Sequence, residues 1–281
     1  MLLKDFFFTL KNIHISFFER KKILKLLRVG LSTLYKFFLL ELIIYRFIRK
    51  KNLDKVSVAR DELFKKDLDF LFDYFNSFRK YHNYATIYEE NFNKIKNNKL
   101  DILEIGSATG GGVASLYFYF PNSKFITADN NPFRLIYRSE RIRNIYIDIS
   151  SKNILKNFNH YINKKYDLII EDCSHKAIDQ ILCFSENFKN LKEGGVYVVE
   201  DLNFPEIDEA YNPSNEKVDL KTILKKIESG DQIISKYINE EEIFYIKKNV
   251  DNIKFYKTKN KGDYLISGLC EYSEIAFIKK R

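Results

Sequence analysis

Four side chains in two short runs have the types and spacing to do chemistry together: Asp172 and His175 in Glu171-Asp172-Cys173-Ser174-His175, and the pair Glu200-Asp201. Each run follows an apolar stretch, Tyr166-Asp167-Leu168-Ile169-Ile170 and Val196-Tyr197-Val198-Val199, with the length and composition of a strand buried in a parallel sheet. A helix predicted from Ala177 to Leu191 and a turn at Lys192-Glu193-Gly194-Gly195 make the connection a right-handed crossover, which can set the two strand ends side by side, ~5 Å apart. Asp172, Glu200 and Asp201 then crowd one mouth of the sheet. Three carboxylates there repel one another unless a cation sits among them or one is protonated. Oxygen ligands beside an imidazole favour a hard divalent ion, magnesium first, with manganese or calcium as alternatives. His175 lies near the positive end of the following helix, which favours the neutral, proton-accepting imidazole. A metal held by Asp172, Glu200 and Asp201 would share with His175 the task of deprotonating a hydroxyl, Asp172 serving both as ligand and as catalytic partner. The plainer alternative is a set of solvated loop acids and helix caps.

The elements that position this cluster begin upstream. Leu100-Asp101-Ile102-Leu103-Glu104-Ile105 reads as a buried strand, broken by Gly106-Ser107-Ala108-Thr109-Gly110-Gly111-Gly112. Four glycines in seven residues allow a tight turn, close approach to a ligand, and entry into a helix whose free N–H groups face that ligand. The helix runs from Val113 to about Tyr119, before Pro121, and a second strand, Lys124 to Ala128, ends on Asp129. That acid stands 23 residues after Gly106, a separation at which a carboxylate reaches a ribose hydroxyl pair. Gly106, Ser107, Gly110 and Asp129 are therefore candidate contacts for a nucleoside cofactor. A third strand, Asn144-Ile145-Tyr146-Ile147, ends at Asp148, which is placed either near the adenine or as a cap on the turn through Ser150 and Ser151.

A chain of 281 residues with 45% hydrophobic content, 25 Phe and 19 Tyr can bury one large α/β core with additional elements. Three cysteines without zinc-type spacing argue against a disulfide framework and for a reducing compartment, the cytoplasmic side. The net charge of +9 is unevenly spread: residues 1–60 carry 14 Lys/Arg against 4 Asp/Glu, so the remainder is close to neutral. A nucleic-acid enzyme places its basic footprint around the cleft, so no nucleic-acid partner is expected.

Residues 1–60 form a basic amphipathic helical extension, 61–98 a helical lead-in, and 99–281 the principal domain, with 202–250 as a lid or specificity insertion, a packed two-helix cap being the alternative. The run Leu31 to Ile48 holds Lys36, Glu41 and Arg46, too many charges for a spanning helix. With Arg49-Lys50-Lys51 beside it, it suits peripheral contact with the inner face of a membrane, or packing on the main domain or on a second copy in a homo-oligomer. Ile253 to Thr258 and Glu274 to Ile278 read as a terminal antiparallel pair. The fold class expected is α/β: a doubly wound, seven-stranded Rossmann-like sheet with a terminal antiparallel hairpin and a helical N-terminal extension.

Glu104-Ile105-Gly106-Ser107-Ala108-Thr109-Gly110 resembles the E/D-x-G-x-G-x-G turn of class I S-adenosylmethionine-dependent methyltransferases, with Ala108 in place of the middle glycine. Together with Glu171 to His175 and Gly194 to Leu202, it resembles the metal-dependent sugar O-methyltransferases of macrolide biosynthesis, the macrocin and mycinamicin enzymes, and the cephalosporin-hydroxylase-like proteins. His82-x-Tyr84-x-x-Ile87-Tyr88-Glu89-x-x-Phe92 is similar to the H-Y-x-x-I-Y-x-x-x-F segment of that group. The likeness covers residues 80–202 and the tail. It implies that Glu104, Gly106, Asp129 and Asp148 line an S-adenosylmethionine pocket, that Asp172, Glu200 and Asp201 hold magnesium, and that His175 is the base for methylation of a hydroxyl on a sugar, glycoconjugate or other small molecule. Cys173, where the group has glycine, and the basic extension depart from the pattern. A catechol-like O-methyltransferase and a non-catalytic binding protein at a membrane are the alternatives.

Overall fold

The apolar runs pair into one seven-stranded sheet in the computed structural model, which describes residues 3–19, 50–55, 60–214, 218–262 and 270–281. Its strands are β1 (Asp101–Ile105), β2 (Lys124–Asp129), β3 (Ile142–Tyr146), β4 (Tyr166–Glu171), β5 (Leu191–Val199), β6 (Val250–Lys259) and β7 (Tyr272–Lys280). The spatial order is β3-β2-β1-β4-β5-β7-β6, with β1 to β5 parallel and β7 antiparallel to both its neighbours. The direction of winding reverses between β1 and β4, so a crevice opens at their C-terminal ends, where ligands bind in such sheets. Period-two alternation divides the core. Leu103, Ile105 and Ile169 point to one face, and Ile102, Leu168, Ile170 and Val198 to the other.

Among the described residues the helices longer than a single turn are α1 (Leu3–Glu19), α2 (Leu68–Tyr74), α3 (Ala85–Phe92), α4 (Gly111–Tyr119), α5 (Lys152–Ile162), α6 (Ala177–Asn187), α7 (Leu220–Ser229) and α8 (Glu240–Asn249). The helical periodicity from Arg60 to Asn98 resolves into short pieces. Asp67 caps α2 through the Phe70 N–H at 2.9 Å, and Asn76 and Asn83 turn the chain in left-handed conformations that asparagine tolerates. The chain thereby folds back, and Glu89 on α3 accepts from the Leu68 N–H at 2.8 Å to hold the two helices together. The helix expected to reach Leu191 ends at Asn187, and Leu191 already pairs with Tyr166 as the first residue of β5. Within 202–250, α7 buries Leu220, Ile223 and Leu224 in the core, leaving 204–214 as the part nearest the crevice.

The N-terminal helix α1 packs along β3, the edge strand, where unpaired backbone would otherwise face solvent. Residues 20–49, which include the Leu31 to Ile48 run expected at a membrane or a packed interface, lie outside the described residues. Among the described residues no helix is long and apolar enough to cross a membrane. Asp5, fully buried, accepts from Arg143 Nε at 3.0 Å and from the Tyr161 hydroxyl at 2.8 Å, while Phe8 stacks on Tyr161 with centroids 4.0 Å apart. Burial pushes the Asp5 carboxyl up, but the hydrogen bonds from Arg143 and Tyr161 outweigh it and hold the group below its ordinary value.

Asp5→Asn is expected to cost about 2 kcal/mol at neutral pH through the lost charge-assisted bonds. Because the folded-state value is depressed, the wild-type advantage is present above the unfolded value near ~3.9 and is lost as pH falls through the folded one. Thermal melts of the two proteins should therefore converge in acid. A gap that stays constant across the acid range would show that this carboxylate does not carry the docking of α1.

Candidate active site

The crevice is built where two strand ends touch. Gly106 has φ +95°, and a Cβ there would sit 1.8 Å from the Asp172 carbonyl oxygen, so the turn after β1 lies against the backbone leaving β4. The Asp172 N–H donates to the Ile105 carbonyl at 2.8 Å. Ala108 occupies the left-handed region, φ +44°, where the related pattern has glycine, and its N–H donates to Asp129 Oδ2 at 2.8 Å. Asp129 also accepts from the Asn131 N–H at 2.7 Å. A cavity of about 600 Å³ opens here, with Gly106, Ala108, Asp129, Asp148, Asp172 and Cys173 in its wall.

Gly106, Asp129 and Asp148 thus meet at one cavity. Asp148 also accepts from the Ser150 N–H at 3.2 Å and its hydroxyl at 2.7 Å, so it both caps its turn and faces the cavity. Three of the other expected cofactor contacts stand outside the wall. Ser107 is buried with its hydroxyl lacking a hydrogen-bond partner, Gly110 opens α4 against Leu135, and Glu104 lies beneath, engaged by Arg79. The cavity has room for a nucleoside, with carboxylates for its hydroxyls and an unsatisfied buried hydroxyl close by, and so fits the cofactor.

At the other side of the crevice Asp172, His175 and Asp201 converge. His175 Nε2 lies 3.8 Å from Asp172 Oδ1 and 3.8 Å from Asp201 Oδ2, and a ligand atom from each of the three falls within 4.8 Å of the others. His175 and Asp201 both adopt left-handed backbone, φ +54° and +58°, a conformation uncommon for non-glycine residues though more accessible to Asp and His than to most. Glu200 is not in that trio. Its Oε1 accepts from Arg79 Nε at 2.7 Å and from the Tyr88 hydroxyl. Asp201 is held in place by the Tyr84 hydroxyl, which donates to Oδ1 at 2.6 Å. His82 Nδ1 stands 3.3 Å from that oxygen and 2.6 Å from Ser273 Oγ.

Arg79 is the residue that sequence reasoning missed. Its guanidinium, 2% exposed, spans Glu200, Glu104 at 2.7 Å and Asp172 at 3.5 Å, joining acids from three strand ends. It sits in a Phe- and Tyr-rich stretch whose spacing signals only a helix face, so nothing local marked it. The one guanidinium is outnumbered. Burial pushes Asp172 up to about 7 and Glu200 up to about 8, Arg79 opposing both shifts and the crowding of the acids adding to them. Oxygen donors short of positive charge fit a hard divalent ion.

The sheet order, its terminal antiparallel pair and a glycine turn at the switch point define the class I S-adenosylmethionine-dependent methyltransferase fold. Residues 96–261 match the family described as a methyltransferase domain, and the chain belongs to that family. It is 27% identical over 140 residues to the 8-demethyl-8-alpha-L-rhamnosyl tetracenomycin-C 2'-O-methyltransferase of Streptomyces olivaceus, covering 47% of this chain and 37% of that protein. It is 26% identical over 129 residues to the 8-demethyl-8-(2-methoxy-alpha-L-rhamnosyl)-tetracenomycin-C 3'-O-methyltransferase of the same organism, covering 43% and 33%. The solved MycE methyltransferase from the mycinamycin biosynthetic pathway, in complex with Mg, SAH and mycinamycin VI, superposes with a TM-score of 0.58 at 20% identity, covering 76% of this chain and 54% of that one. The chain thus spans little more than a third of the length of these curated relatives and about half of the solved one.

Two substitutions probe the geometry. A Cβ on Gly112 would lie 2.0 Å from Arg79 Nη1 and 2.6 Å from Glu104 Oε1, with no room for the buried guanidinium to move. Gly112→Ala should therefore cost about 3 kcal/mol or more by breaking a buried ion pair, measured by denaturant unfolding; an unchanged midpoint would show that Arg79 is not so confined. Tyr84→Phe removes the donor that fixes Asp201, so a divalent ion placed at Asp172, His175 and Asp201 would be held about tenfold or more weakly, read by calorimetry with magnesium alone.

Proposed function

We propose that this protein is a magnesium-dependent O-methyltransferase that transfers the methyl group of S-adenosylmethionine to a hydroxyl of a sugar or glycoconjugate. The observation that carries this reading is the convergence of Asp172, His175 and Asp201 beside a cavity whose wall holds Gly106, Asp129 and Asp148. Support for the acceptor class comes from the curated relatives, whose names describe O-methylation of rhamnosyl groups.

When bound, S-adenosylmethionine supplies an electrophilic sulfonium methyl group, and a divalent ion supplies positive charge that makes an acceptor hydroxyl more acidic. Asp129 and Asp148 would accept from the cofactor's hydroxyl and amino groups, and the Gly106 backbone allows its close approach. Asp172, Glu200 and Asp201 are the residues assigned to the ion, Asp172 and Asp201 facing His175 and Glu200 held beside them by Arg79 and Tyr88. His175 would accept the acceptor hydroxyl's proton at Nε2, the position from which it faces Asp172 and Asp201. Arg79 and Tyr84 fix the carboxylates in advance, so that the geometry is not assembled anew in each turnover.

The test is methyl transfer from labelled S-adenosylmethionine to a panel of glycosides by the purified full chain. EDTA should abolish turnover and added magnesium restore it. His175→Ala should lower kcat by about a hundredfold or more, with cofactor affinity retained in calorimetry. Undiminished turnover under both changes would remove this mechanism, and absence of cofactor binding by the wild type would favour a non-catalytic role.

A further inference from the structure

The segment between β5 and α7 supplies a surface against which the body of an acceptor can lie. Its start is anchored by Asn203, fully buried, which donates to the Tyr272 carbonyl at 2.9 Å and accepts from the Glu274 N–H at 3.0 Å, both on β7. Lys221 on α7 clamps it again, pairing with Glu206 at 3.0 Å and Glu274 at 2.5 Å. From this fixed stretch Phe204 packs its ring against His175 with centroids 5.1 Å apart. Tyr211 meets Phe204 nearly edge-on at 4.9 Å and lies 6.4 Å from His175. Both aromatic rings are only half-buried, and neither belongs to the two core clusters. Residues on either side of Tyr211, though not its ring, wall a cavity of about 670 Å³ whose lining includes Asp208 and Glu209, with Glu206 already paired to Lys221, and, among the described residues, no Lys or Arg.

A molecule that presents one hydroxyl to His175 must rest the remainder of its body nearby. Rings fastened beside the base offer flat apolar surface to the C–H face of a pyranose, and an acidic rim accepts hydrogen bonds from its hydroxyls while repelling anions. We infer that Phe204 and Tyr211 form the acceptor subsite, and that its occupant is an uncharged or amino-bearing sugar ring, not a phosphorylated or carboxylated one. The inference rests on the methyl-transfer reading above and adds to it the residues that bind the acceptor and the charge they select.

The experiment uses the full chain with S-adenosylmethionine, magnesium and three p-nitrophenyl glycosides: α-L-rhamnoside, β-D-glucosaminide and β-D-glucuronide. The first two should be methylated with kcat/KM at least about tenfold above the third. Tyr211→Ala should raise KM for the rhamnoside about tenfold while kcat holds within about twofold, and Tyr211→Phe should recover most of that loss. Glu209→Lys should narrow the gap to the glucuronide by about threefold or more. An unchanged KM in both Tyr211→Ala and Phe204→Leu, with melting curves matching the wild type, overturns the subsite, and preference for the glucuronide overturns the charge class. Methylation of a dihydroxybenzoate but of none of the glycosides would instead sink the sugar reading of the preceding subsection, taking this subsite with it.

Discussion

The mouth of the sheet depends on one buried cation. Removing a guanidinium from water costs several kcal/mol, recovered only when its N–H groups meet carboxylates in good geometry. Arg79 meets that condition at Nε and Nη1, with Glu200 and Glu104 at 2.7 Å each, while Nη2 is left without a hydrogen bond and has the Asp172 carboxylate 3.5 Å away. Strand periodicity makes the arrangement available. Glu104 shares a face of the sheet with Ile102, and Glu200 follows Val198 on the same face, where α2, α3 and the 78–80 turn lie. Glu171, one residue out of phase, faces the other way and accepts from the Tyr197 hydroxyl at 2.8 Å. Gly112 completes the fit, since the first turn of α4 passes so close to Arg79 that no side chain can stand there. A single positive charge cannot balance the acids it gathers, and Asp201 adds one more. The upward shifts at Asp172 and Glu200 come first from burial, and the crowding of the acids adds to them against the opposing pull of Arg79.

Apart from asparagines, the non-glycine residues with left-handed backbone among the described residues all lie at the same place. Ala108, His175 and Asp201 hold left-handed conformations at a cost of order 1 kcal/mol or more each. None of the three is glycine, so each side chain is retained despite the conformation it must adopt. For His175 and Asp201 the effect of the turn is plain: it aims Nε2 and Oδ2 at each other across 3.8 Å. The two-layered core on either side of the sheet absorbs the cost, because β1, β4 and β5 are buried along most of their length.

What could be read from the sequence follows from which signals are local. Strand runs bounded by glycine and strand-end acids are local patterns, so crossover geometry makes β4 and β5 neighbours and carries Asp172, Glu200 and Asp201 to one mouth of the sheet. Arg79 could not be read this way, because its partners lie 25 to 121 residues away and its own neighbours are aromatic. The helical pattern of 60–98 gave the helices without their turns, for a related reason. Apolar spacing there serves the underside of α2 and α3, whereas Asn76 and Asn83 decide where the chain turns. Glu200 shows the same limit. A strand-end position predicts that it reaches the crevice, but only tertiary contacts with Arg79 and Tyr88 determine which oxygen remains for other partners.

Cys173 stands where the related pattern has glycine, between Asp172 and His175, which raises the question of how the turn closes. Its backbone is not among the left-handed positions, and its thiol donates to the Ile105 carbonyl at 3.2 Å. The left-handed residue of this turn is His175, two places on, so no glycine is required at 173. The Ile105 carbonyl therefore receives both the Asp172 N–H and the Cys173 thiol, while Gly106 presses against the Asp172 carbonyl from the other side. The turn after β1 and the backbone leaving β4 are thus held against each other at adjacent peptides, so a displacement of either must be accommodated by the other.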